Sequence, residues 1–195
     1  MSGKVHKSFV LSNLLSNSGL KLIELYFDAQ PEIEVISVRL GHVRLSYHPE
    51  KTNQASVEKH LRDLGFYVVT DPDVTVTEQI KAAAVELIVL GNNTNSLVRN
   101  SDYISDKLQM PYSRLSKIFS TVTGSTIEKY LIQLKIEKVK DLLLRDEFTL
   151  SEIAYQLDYS SVQYLSSQFK SVVGVTVVEY RKNPDLYRVA LEQLV

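Results

Sequence analysis

At 195 residues, 44% hydrophobic and 23% charged, the chain has the composition of one large or two small folded domains. A net charge of −1 gives no overall pull toward nucleic acid or membrane, and the absence of cysteine excludes disulfides and thiolate metal sites. The first residues lack a basic segment followed by a long apolar core, and the most apolar run (AAAVELIVLG, 82–91) is about half of what spans a bilayer. The reading therefore expects no signal peptide, no membrane partner and a cytoplasmic protein.

In chain order, KVHKSFVL (4–11) and IEVISVRLGHVRLSYH (33–48) are rich in β-branched and aromatic residues, and Gly41-His42 suits a hairpin turn. Between them, SNSGLKLIELYFDAQ (16–30) places Leu20, Ile23, Leu25 and Phe27 at roughly helical spacing. NQASVEKHLRDLGF (53–66) carries Val57, Leu61 and Leu64 on one stripe, with Gly65 as its stop, and FYVVT (66–70) reads as a last strand. The order β-α-β-β-α-β predicts an α+β, ferredoxin-like N-terminal domain over 1–72. TDPDVT (70–75) is turn-rich and marks a boundary, with an all-α domain expected over 77–195. There TEQIKAAAVELIVL (77–90) is helical, GNNTNS (91–96) breaks it, and five helical patterns follow.

This second half repeats itself. Leu115, Ser116, Phe119, Val122, Gly124, Thr126 and Tyr130 recur fifty positions later as Leu165, Ser166, Phe169, Val172, Gly174, Thr176 and Tyr180. Ile104 and Leu108 match Ile153 and Leu157 at an offset of forty-nine, so the slip falls in the turn. Two copies suit a duplicated helix-turn-helix better than a solenoid, which needs about three. In helix 112–122, Leu115, Ile118, Phe119 and Val122 form the expected buried stripe, opposite Ser113, Ser116, Lys117, Ser120 and Thr121. In helix 161–172 the stripe is Leu165, Phe169 and Val172, and Gln163, Tyr164, Ser167 and Ser171 face away. Small hydroxyls, an amide and a phenol permit close approach to a groove and hydrogen bonds to phosphates or base edges. The plain alternative is a pair of solvated helix faces. TIEKYLIQLKIEKVKDLLLRD (126–146) joins the copies. Its Ile127, Leu131, Leu134, Leu142 and Leu143 are expected to pack on both units across roughly 30 Å, near the 34 Å of one DNA turn.

These residues resemble the AraC/XylS family of bacterial transcription regulators. The second unit carries most of the likeness: Leu150, Ile153, Ala154, Tyr159, Tyr164, Leu165, Phe169, Lys170, Gly174, Thr176, Tyr180 and Arg181 occupy the family's motif positions. Asp158 stands where the family prefers Gly in the turn, Val177 replaces a Pro at the start of the last helix, and Pro111 replaces a capping Ser. The resemblance implies two recognition helices, about 112–122 and 161–172, in successive major-groove segments of double-stranded DNA. It implies base-facing roles for Ser113, Ser116 and Lys117, and for Val162, Gln163, Tyr164 and Ser167. Val162 lies at the edge of the buried stripe and fits a core contact equally well. Tyr112, Arg114 and Lys170 are the implied phosphate contacts. From Gly91 onward there are 13 Lys and Arg against 12 Asp and Glu, a net of +1, so useful affinity needs that charge to be segregated. Lys107, Arg114, Lys117 and Lys170 are candidates for one basic face.

The N-terminal half resembles the heavy-metal-associated domain of copper chaperones and metal-transporting ATPases, through Pro31 and the hairpin after it. The family's two metal-binding cysteines fall at Ser16 and Gly19, which offer no thiolate to monovalent copper. No metal and no cofactor are expected. His6, His42, His48 and His60 read as surface histidines without ligand spacing, His42 and His48 sharing one sheet face if the strand is regular. The expected function is a sequence-specific DNA-binding transcriptional regulator, with a homodimer surface or an effector or protein site on the N-terminal domain. The alternative is an interaction or sensor module that keeps the fold without binding DNA. No nucleophile–base pair, phosphate loop or acidic metal cluster suggests an enzyme.

Overall fold

The computed structural model describes residues 3–91 and 99–195. Most of the expected break at 91–96 lies outside the described residues.

The N-terminal half runs β1 (Val5–Ser12), α1 (Asn17–Asp28), β2 (Ile33–Arg39), β3 (His42–Tyr47), α2 (Gln54–Asp63) and β4 (Tyr67–Val69). The four strands form one sheet in the order β2-β3-β1-β4, with every neighbouring pair antiparallel. Alternation along β1 sends Phe9 and Leu11 inward, where they meet Ile23 and Phe27 of α1 and Val57 and Leu61 of α2. Leu25 does not join this stripe. Its side chain is 60% exposed, because at 100° per residue it falls between the buried Ile23 and Phe27 on the far side of α1. Ile36, at the register shift between Val35 and Ser37 on edge strand β2, is also exposed.

Helix α3 (Pro72–Ile88) begins inside the turn-rich stretch read as a boundary. Asp71 is its N-cap, accepting from the N–H groups of Asp73 and Val74 at 2.9 and 3.0 Å, and Pro72 occupies the first turn. Ala82, Ala83 and Ala84 are all buried; successive residues point 100° apart, so the helix is packed on several faces. On one of them the β2–β3 turn comes close: Gly41 has φ +67°, and a Cβ there would lie 3.2 Å from Ala82 Cβ. Glycine is required twice over, by the left-handed backbone and by the approach.

Six α-helices follow among the described residues: α4 (Asn100–Leu108), α5 (Tyr112–Thr123), α6 (Ile127–Arg145), α7 (Leu150–Gln156), α8 (Val162–Val173) and α9 (Val177–Lys182). That is one more than the sequence patterns suggest. The repeat is borne out in detail. Burial class is the same at every position from Tyr112 to Tyr130 as from Val162 to Tyr180. Gln109 (φ 52°) and Asp158 (φ 54°) both take the left-handed conformation in the turn, and Gly124 and Gly174 both close their helices there. Phe119 packs against Tyr130 with ring centroids 5.7 Å apart and a 40° tilt, and Phe169 meets Tyr180 edge-on at 5.4 Å.

Two corrections concern the stripes. Val122 and Val172 are 38% and 40% exposed, so the buried core of each helix is Leu115 with Phe119, and Leu165 with Phe169. The valines sit one turn beyond the last buried residue, close to the glycine cap. The joining helix behaves as expected. Ile127, Leu131 and Leu134 enter one core with α3 and α5, whereas Leu142 and Leu143 enter another with α7, α8 and α9.

Candidate nucleic-acid interface

Helices α5 and α8 each follow a left-handed turn residue, and their first turns carry Tyr112, Ser113 and Arg114, and Gln163 and Tyr164. Their sequences, YSRLSKIFSTVT and VQYLSSQFKSVV, contain no Asp or Glu. The near-neutral total for this half therefore conceals a segregation. The acids are spent elsewhere: Glu152 and Glu179 close capping boxes with Thr149 and Thr176, Glu137 holds Lys140, and Asp141 holds Arg145.

On α5, Ser113, Arg114 and Lys117 are exposed and Ser116 is half-buried. On α8, Gln163, Tyr164, Ser167 and Lys170 are exposed. Among the described residues none of Arg114, Lys117 or Lys170 forms an ion pair, which leaves their charge to whatever approaches. Val162 is half-buried and packs on the second core, as its place at the edge of the stripe allows.

Tyr112 is half-buried, and its hydroxyl donates to Glu128 Oε1 at 2.7 Å. Burial and that carboxylate hold its pKa well above the usual phenol range, so the proton is committed within the protein. Lys107 does not belong to the basic face. It pairs with Glu86 of α3 and lies beside the Arg39–His42 turn, because its position in α4 points toward α3 and not past α5. Lys135, in the middle of α6, donates to the Leu157 carbonyl at 3.0 Å and sits over the Tyr159 ring, and burial lowers its pKa. It pins the turn of the second copy.

A cleft of about 590 Å³ runs beside α8, and Ser167, Lys170, Thr176 and Arg181 line it. Arg181 lies outside α5 and α8, in the basic pair Arg181-Lys182 that ends α9. A second cleft of about 550 Å³ brings Tyr112 of the first copy to Tyr159, Tyr164 and Gln168 of the second. Tyr159 donates to Gln168 Oε1 at 2.6 Å there, so the amide is oriented from within the protein.

Ser16 and Gly19, the two positions that the resemblance aligns with metal-binding cysteines, have structural roles. Ser16 caps α1, its hydroxyl accepting from Gly19 N–H at 3.2 Å. A Cβ at Gly19 would meet Leu14 Cδ1 at 3.1 Å and Phe66 Cζ at 3.3 Å. Among the described residues no group of three or more His, Cys, Asp or Glu side chains is arranged to hold a metal. The histidines are not all surface residues. His42 is half-buried with its Nδ1 enclosed, and His60 Nδ1 shares a 2.7 Å hydrogen bond with the Tyr26 hydroxyl. His48 falls just past β3, so it does not share a strand face with His42.

Residues 104–183 match the family described as a helix-turn-helix domain. The xylose operon regulatory protein of Escherichia coli (strain K12) is 34% identical over 80 residues, which is 41% of this chain and 20% of that protein. The HTH-type transcriptional activator RhaR of Mannheimia succiniciproducens is 26% identical over 144 residues, 71% of this chain and 51% of that one. The chain thus spans about a fifth of the first relative's length and about half of the second's. Among solved structures, the C-terminal domain of the response regulator yesN from Fusobacterium nucleatum is 32% identical with a TM-score of 0.41, covering 49% of this chain and 92% of that one. No described helix is long and apolar enough to cross a membrane.

Proposed function

We propose, on the premise that residues 104–183 are an AraC-family helix-turn-helix domain, that this chain is a cytoplasmic, sequence-specific DNA-binding transcriptional regulator. Its helices α5 and α8 enter successive major-groove segments. One observation carries the reading: two helices with the same burial pattern, both free of acidic residues, stand at either end of the 19-residue α6. At about 1.5 Å per residue that helix is roughly 28 Å long, near the spacing of consecutive major-groove faces.

The roles divide by chemistry. Gln163 offers an amide able to bond an adenine edge, and Tyr164, Ser167, Ser113 and Ser116 offer hydroxyls at close range. Arg114, Lys117, Lys170 and Arg181 neutralise phosphates. Tyr112 joins them only by releasing Glu128, and Val162 acts through packing. The N-terminal domain, over about 1–72, has β1 and β2 parallel with β3 between them, which supports a ferredoxin-like plan of the heavy-metal-associated kind with its metal site lost. Dimerisation through that domain would raise the affinity of a lightly charged reader.

The test is an anisotropy titration of random-sequence duplex at several salt concentrations. Lys117→Ala and Lys170→Ala should each flatten the slope of log affinity against log salt by about 0.9. Unchanged slopes would favour an interaction module that keeps the fold without binding DNA.

A further inference from the structure

Where the β2–β3 turn meets α3 and α4, the structure encloses a cleft of about 280 Å³. Leu40, Ala82 and Leu108 give it an apolar lining, and Arg39, His42, Glu86 and Lys107 give it a polar and charged one. The reading of DNA by α5 and α8 makes no use of it. We propose that this cleft is a binding site for a small organic carboxylate, held by Arg39 and Lys107 with its carbon skeleton on the apolar lining.

The lining carries groups that suit such a ligand. Lys107 pairs with Glu86, which also lines the cleft, so a ligand carboxylate reaches Lys107 by displacing Glu86. Arg39 is exposed and, among the described residues, makes no ion pair, so its planar fork is open to a second carboxylate. His42 also lines the cleft. Burial, reinforced by Arg39 and Arg44, lowers the His42 pKa and keeps the ring neutral, so the ring can serve as donor or acceptor. The apolar part of the lining favours a ligand with a carbon skeleton over inorganic phosphate, which would leave that surface uncovered. At roughly 30 Å³ per water, the volume suits a molecule of about ten non-hydrogen atoms.

The walls come from three places: the turn of the N-terminal sheet, α3, and the last turn of α4, one residue before the left-handed Gln109. An occupant competes with Glu86 for Lys107 and so bears on how α4 is held against α3. Binding in this cleft needs no DNA and is measured without it.

The experiment is thermal unfolding of the full chain with acetate, succinate, 2-oxoglutarate and benzoate, each titrated against chloride at matched ionic strength. Wild-type protein should show a concentration-dependent rise in Tm with at least one of these acids. Arg39→Ala should leave the ligand-free Tm unchanged and weaken the apparent affinity at least tenfold, about the loss of one charge-assisted contact. Lys107→Gln, which keeps most of the side-chain stem, should weaken it similarly. Failure of every acid to shift Tm beyond chloride would overturn the proposal, and so would equal shifts in wild type and Arg39→Ala.

Discussion

The two helix-turn-helix copies share a burial pattern residue for residue, yet they are held in different ways. The first copy has no private core. Leu115 and Phe119 belong to a cluster that also takes in Ile80, Val85 and Leu87 of α3, Leu15 and Leu40 of the N-terminal half, and Leu194 near the C-terminus. The second copy has its own cluster, built from Ile136, Leu143, Ile153, Leu165, Phe169 and Tyr180. Their caps differ as well. Helix α5 starts at Pro111 with no side-chain cap, whereas Ser161 caps α8, and α7 and α9 each begin with a full capping box. A duplicated unit can thus keep its burial pattern while exchanging one mode of support for another. The first copy leans on the rest of the protein, and the second is locally self-sufficient.

The sharpest way to break this comparison is to remove one ring from each copy. Phe119→Ala and Phe169→Ala should each cost about 3–5 kcal/mol, since both side chains are fully buried. Phe119→Ala should lower the stability of the whole molecule in a single urea transition. Phe169→Ala should instead give two transitions, the second copy unfolding first while the sheet and first copy persist. Identical single transitions for both variants would contradict the separate cores.

Capping gives a smaller contrast. Ser161→Ala removes a side-chain acceptor 3.1 Å from Tyr164 N–H and should cost about 1 kcal/mol. Pro111→Ser supplies an acceptor at the equivalent end of α5 and should stabilise by about 0.5–1 kcal/mol. Chemical denaturation would show the two changes with opposite signs.

Acid should separate the copies next. Hydrogen bonds from Thr149 and Thr176 hold the Glu152 and Glu179 carboxyls below their ordinary value of 4.5. A depressed folded-state pKa means that this stabilisation is present above pH 4.5 and is lost as pH falls through the lower folded value. The equivalent of Glu179 in the first copy is Lys129, so that box is missing there. Glu152→Gln with Glu179→Gln should flatten the acid limb of a stability–pH profile reported from the second copy.

The smallest effect expected is at the paired phenols. Tyr130 and Tyr180 are buried in matching places and neither hydroxyl has a hydrogen-bond partner among the described residues. Tyr130→Phe and Tyr180→Phe should therefore both stay within about 0.5 kcal/mol of wild type, because no bond is lost. A large loss at one of them would reveal a partner specific to that copy.

Much of this arrangement was legible in residue spacing. The fifty-residue offset located α5 and α8, and Asp158 took the left-handed turn that a small polar side chain permits. The strands, the N-terminal helices and the division of α6 between two cores followed from apolar periodicity. Other features were hidden for physical reasons. Spacing alone gave Val122, Val172 and Leu25 to buried stripes, but how far a stripe stays covered depends on the partner's extent. Lys107 looked like part of a basic face until its neighbour Glu86, twenty-one residues away, was seen to claim it. The +1 net charge concealed the acid-free helices because a sum carries no geometry. The role of α3 was also hidden: TEQIKAAAVELIVL reads as a helix, and only the fold shows its three alanines as contact surface.

The most direct test of the central claim is selection of bound fragments from a random duplex pool, with wild type and Gln163→Ala in parallel. The account predicts an enriched motif with two elements about one turn, roughly 10 base pairs, apart, of which Gln163→Ala erodes only one. No enrichment for wild type, or a motif eroded equally at both elements, would contradict it.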